Sequence, residues 1–131
     1  MNDTEWTEER HLRGKPAEVV ALYHQFIALA RACGPFTYAI SKSAITLKGT
    51  RRGFAGVRLR TTALGGYLDL PRQVRDPRIS RSAPYTGRLY VHHFRVDALA
   101  QLDEEFAGWL DEAYRVGAGE HLRPATPGAA G

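Results

Sequence analysis

From Ser43 to Leu70 the chain reads SAITLKGTRRGFAGVRLRTTALGGYLDL, and polarity changes at nearly every second residue. Ile45 and Leu47 alternate with Thr46 and Lys48. Ala55, Val57 and Leu59 alternate with Arg58 and Arg60, and Leu68 and Leu70 with Tyr67 and Asp69. A period of two sends successive side chains to opposite faces of a sheet. Three strands are therefore predicted. Gly49-Thr50-Arg51-Arg52-Gly53 suits the first hairpin turn, and Gly65-Gly66 marks the second connector. Antiparallel pairing leaves Thr46, Lys48, Arg58, Arg60, Tyr67 and Asp69 on an open face. Arg51 and Arg52 are expected to be exposed at the hairpin tip. Phe54 falls on the Arg58 side by strict alternation, yet it is too large to leave wet, so a bulge or an edge-covering segment is needed there.

Helices flank this block. Thr7 can cap a short helix with Glu8 and Glu9 in its first turn, where the dipole favours acids. Residues 1–15 thus read as an N-terminal segment. Pro16 to Cys33 places Val19, Leu22, Tyr23, Phe26, Ala30 and Cys33 at three- and four-residue spacings, one apolar stripe that stops at Gly34. Pro35 to Ile40 reads as an edge strand. Arg88 to Val96 reads as a central strand, apolar on both faces. Asp103 caps the last helix, whose apolar side carries Phe106, Trp109, Leu110, Ala113 and Tyr114. Both helical stripes need a surface, and the alternating strands offer one. The expected fold class is α+β: an antiparallel sheet of four to five strands with two main helices packed on one face. Residues 16–116 form the single domain, and 117–131, rich in Gly, Pro and Ala, form a flexible tail. Residues 71–87 show no period and read as a long loop, rich in arginine and the first place to seek a ligand.

At 131 residues and 44% apolar, the chain can bury one core. Its single cysteine, Cys33, excludes an internal disulfide and suits a reducing compartment. No run approaches the roughly 18 apolar residues of a membrane span, and MNDTEWTEE does not read as a signal peptide. A cytoplasmic protein without membrane contact is expected.

Charge is segregated. Residues 1–41 carry a net −1, residues 42–96 a net +10 and residues 97–131 a net −5. Such a basic block suits a phosphate or nucleic-acid surface, or arginines neutralised by the acidic last helix. The candidate anion- or nucleic-acid-binding residues are Lys48, Arg51, Arg52, Arg58, Arg60, Tyr67, Arg75 and Arg78. The reading is a non-catalytic binding or interaction module. Nucleic acid or an acidic protein is the partner, no cofactor is used, and the chain is a monomer or homodimer. The alternative is a small hydrolase or nuclease-like enzyme, with Asp69 and a strand histidine, His93 or its neighbour His92, as acid/base pair and Tyr67 nearby. Adjacent His92 and His93 point to opposite sides of a strand and cannot chelate one metal side by side. The chain contains no P-loop, dinucleotide fingerprint, nucleophile elbow or HExxH.

Several motifs together resemble a known family. They are Lys42-x-x-Ile45-x-Leu47, Arg51-Arg52-x-Phe54-Ala55-x-Val57, Tyr90-Val91-His92-His93-Phe94, Leu102-Asp103 and Trp109-Leu110-x-Glu112-Ala113-Tyr114. As a set, over residues 4–122, they are similar to an uncharacterised bacterial domain family of unknown function. Some of its members are labelled "predicted transport protein" and some are fused to nuclease-like domains. The resemblance implies a small α+β fold and supplies no catalytic residue. A transport role sits poorly with a chain that lacks an apolar span. Elemental analysis of the purified protein is expected to find no zinc, iron or manganese near stoichiometry, because no ligand set with the required spacing exists.

Overall fold

Capping residues set the helix boundaries in the computed structural model, which describes residues 6–86 and 88–120. Thr7 accepts the Arg10 N–H and starts α1, Glu8–Leu12. Pro16 precedes α2, Ala17–Cys33, and Gly34 stops it at φ 144°, a conformation that favours glycine. Asp103 accepts the Phe106 N–H and starts α3, Glu104–Gly117. The strands are β1 Thr37–Ile40, β2 Ile45–Lys48, β3 Gly53–Leu59, β4 Leu64–Leu70, β5 Ile79–Pro84 and β6 Tyr90–Val96. They form one antiparallel sheet in the order β1-β2-β3-β4-β6-β5.

The two long helices pack against each other and against β3 and β4. Phe26 of α2, Phe94 of β6 and Phe106 of α3 meet at ring separations of 5.7, 5.1 and 6.2 Å. Ile45, Leu47, Val57, Leu64, Leu68 and Leu70 complete that buried layer. Phe54 is fully buried, as its size demands. A register shift at Leu47/Lys48 makes it the extra residue of a bulge, and its ring lies against Phe36 and Tyr114.

The sheet has six strands, not four to five, because six residues of the expected 71–87 loop form β5. That strand pairs with β6 alone, and a shift between Ile79 and Arg81 breaks its alternation. It turns only Ile79 toward the core and ends at Pro84, so it leaves no period to read. Gly65-Gly66 is not a connector either. Both residues sit within β4, and the turn lies earlier, closed by the Arg60 N–H on the Ala63 carbonyl at 2.9 Å. A Cβ on Gly66 would stand 2.1 Å from the Gly56 oxygen and 2.8 Å from the Phe94 ring, so a glycine is required inside the strand. The expected tail begins with structure: Gly117 ends α3, and its carbonyl accepts the N–H groups of Arg51 and Arg52. The remainder of the tail, 121–131, and residues 1–5 of the N-terminal segment lie outside the described residues.

One arginine ties the 71–78 loop to α3. Arg78 donates to Asp76, Asp103 and Glu105 and to the Gln101 carbonyl, all within 2.7–3.1 Å. Its guanidinium lies 4.6 Å from the Trp109 ring centroid. The side chain is 10% exposed. Arg78→Ala leaves these carboxylates facing one another and uncovers Trp109. Urea denaturation is expected to show a loss of about 2–4 kcal/mol.

Candidate functional site

The face of the sheet opposite the helices is uncovered and basic. Alternation in β3 and β4 presents Arg58, Tyr67 and Asp69 there. The register Tyr67↔His93↔Arg81 extends the row across β6 to β5. Tyr67 lies over Gly56, where a Cβ would be 2.4 Å from the ring, so a glycine lets the ring rest on the neighbouring strand. Arg58, Arg60 and Arg95, with Tyr67 and His93, line an open groove of about 370 Å³. A second hollow of about 540 Å³ continues from it past Tyr67 and His93 to Arg52, Asp69, Tyr85 and Val91.

The acids of α3 do not reach this face. Glu112 takes a two-point bond from Arg72, Asp103 and Glu105 hold Arg78, and Asp111 pairs with Arg115. Among the described residues, Arg58, Arg60, Lys48 and Arg81 form no ion pair. Arg95 has a loose one with Asp97 at 3.5 Å, both groups being half exposed. The positive charge on the open face is thus largely uncompensated.

The sequence candidates divide by position. Arg58, Arg60 and Tyr67 share the groove, and Lys48 extends their face on β2. Arg51 is exposed at the hairpin tip, as expected. Arg52 is not free there: it is folded back, 27% exposed, and bonds the Asp69 Oδ2 at 2.9 Å. Arg75 stands exposed in the 71–78 loop, apart from the residues that line either hollow. Arg78 lies on the helix side and is spent on carboxylates, so it does not join the open face. Arg81, one of the arginines of the 71–87 segment, joins this face through β5. Two contributors are not among the sequence candidates: Tyr85, which follows β5, and Arg95, which alternation in β6 places beside His93.

Asp69 and His93 line the same hollow but each has another partner. Arg81 donates to His93 Nε2 at 3.2 Å, and both burial and Arg81 hold that imidazole below its usual range. His92 is wholly buried on the helix side, where its Nε2 accepts the Val74 N–H and anchors the 71–78 loop. Asp69 is 3% exposed. Burial pushes its carboxyl up to about 6 despite Arg52, which pulls the other way. Its Oδ1 has no hydrogen-bond partner among the described residues. No group of three or more His, Cys, Asp or Glu among those residues is placed to hold a metal, and no helix is long and apolar enough to cross a membrane.

A family model described as "Domain of unknown function (DUF5655)" matches residues 8–117. No curated protein and no solved structure matches the chain.

The raised Asp69 carboxyl has a definite sign in stability. Below about pH 4 the group is protonated in both states and contributes nothing. Between about pH 4 and 6 it ionises in the unfolded chain first, so stability falls as pH rises, and above 6 the penalty is constant. Asp69→Asn is therefore expected to stabilise the protein at pH 8 by about 1–3 kcal/mol. It should have little effect at pH 4, as read by thermal melts at the two pH values.

Proposed function

Because the chain belongs to the DUF5655 family, whose description assigns no activity, we propose from its own residues that it is a non-catalytic binding module for phosphate-bearing ligands. The open face of the sheet is the binding surface. The observation that carries this is the unpaired state of Arg58 and Arg60 above a groove they share with Tyr67 and Arg95. Guanidinium forks suit phosphate oxygens geometrically as well as by charge. The helices lie behind the sheet, so the surface is open along its length, which suits an extended polyanion such as a nucleic-acid strand. The alternative, an acid/base pair of Asp69 and His93, has less support. Neither side chain bonds the other, Arg52 holds one of the two Asp69 oxygens, and Arg81 engages His93 Nε2.

The test is Arg58→Gln/Arg60→Gln, measured against tripolyphosphate and a short single-stranded oligonucleotide over a range of salt. Wild type is expected to bind both, with affinity falling steeply as salt rises. The double variant should bind more weakly, and the magnitude of its log–log slope for the oligonucleotide should drop by about 0.7 per lost phosphate contact. Equal affinity and slope in a folded double variant would refute the reading.

A further inference from the structure

The hollow around Asp69 differs from the arginine groove beside it. A buried carboxylate repels phosphate, so the anion of a ligand belongs in the groove and not here. A cation has little to gain either, because Arg52 already neutralises Asp69 at 2.9 Å. What the hollow offers is a hydrogen-bond acceptor, Oδ1, without a partner among the described residues. An acceptor buried in that state is costly and is ordinarily satisfied. Next to it stands an aromatic ring, Tyr85, which is 56% exposed in the turn after β5 and has the Arg52 guanidinium 5.5 Å from its centroid. The exposed part of so large an aromatic side chain is available for stacking. The suited occupant is flat, uncharged and rich in N–H groups, and it is joined to phosphate.

We infer that the hollow formed by Arg52, Tyr67, Asp69, Tyr85, Val91 and His93 is a nucleobase subsite. Asp69 Oδ1 accepts an N–H of the base, the base stacks on Tyr85, and the attached phosphates lie on Arg58 and Arg60. The two hollows meet at Tyr67 and His93, which line both, so one nucleotide unit can occupy them together. The oxygen itself exposes less than 1 Å². A base reaches it when the exposed Tyr85 side chain turns aside, with Arg52 keeping its bond to Oδ2. The inference rests on the phosphate-binding reading and adds the ligand class to it.

The experiment compares three probes: tripolyphosphate, a mixed-sequence single-stranded hexanucleotide, and a hexamer of the same backbone without bases. Each is titrated into the full chain and into Tyr85→Ala and Asp69→Asn. Wild type is expected to bind the base-bearing hexamer about tenfold or more tighter than the abasic one, the scale of one stacked base. Tyr85→Ala should erase most of that preference. Asp69→Asn keeps an oxygen for Arg52 but turns an NH₂ donor toward the hollow, so it should weaken the base-bearing hexamer as well. Tyr85→Ala should change tripolyphosphate binding by no more than about twofold, and Asp69→Asn, which removes a carboxylate that repels phosphate, should not weaken it. Tyr85 is exposed, so its replacement does not threaten folding. Equal binding of the two hexamers, with tripolyphosphate still bound, would overturn the subsite and leave phosphate binding standing. A preference that survives both substitutions would place the base elsewhere and overturn it too. If none of the three probes binds, the phosphate reading falls and the subsite with it.

Discussion

Three phenylalanines hold the architecture together. Phe26, Phe94 and Phe106 come from α2, β6 and α3, and each ring touches the other two. Their contact closes both helices onto one face of the sheet, and burial of such rings is the largest local source of stability available to a domain of this size. The backbone makes room for it. Gly66 faces the Phe94 ring across a gap that no side chain could share. With the helices committed to one face, the other is left to solvent and to ligands.

That division sorts the charges. The cap Asp103 and three acids of α3, Glu105, Asp111 and Glu112, are consumed at the helix side by Arg72, Arg78 and Arg115. The arginines of β3 and its turn stand on the far side, beyond reach of those carboxylates. The single buried acid of the open face, Asp69, is matched by one arginine and keeps one oxygen over. A surface with unpaired cations at one end and a spare acceptor at the other is chemically polarised along its length.

Much of this was legible in the sequence because it depends on period. The alternation in β2, β3 and β4 placed Arg58, Tyr67 and Asp69 on one face, and the size of Phe54 demanded its burial. The caps at Thr7 and Asp103 were plain from residue type. What was illegible depended on long-range partners. β5 has one neighbour and a broken register, so its residues 79–84 carry no periodic signal. Arg78 looked like its exposed neighbour Arg75, and only the approach of Asp103, Glu105 and Trp109 separates them. Arg52 lay in turn chemistry, which says nothing of a side chain that folds back 17 residues along the chain to Asp69.

The hairpin that carries Arg52 has a second attachment. On the helix side, the N–H groups of Arg51 and Arg52 are both bound by the carbonyl of Gly117, at 2.8 and 3.2 Å. On the open side, the Arg52 guanidinium holds Asp69. One short turn thus bridges the rim of the sheet and joins the last turn of α3 to the most buried acid of the opposite face. Fraying of that helical turn removes the acceptor from both amides and loosens the arginine at the same time. The end of α3 and the floor of the open face therefore belong to one cooperative unit, joined through the turn before β3 and the Asp69 side chain of β4.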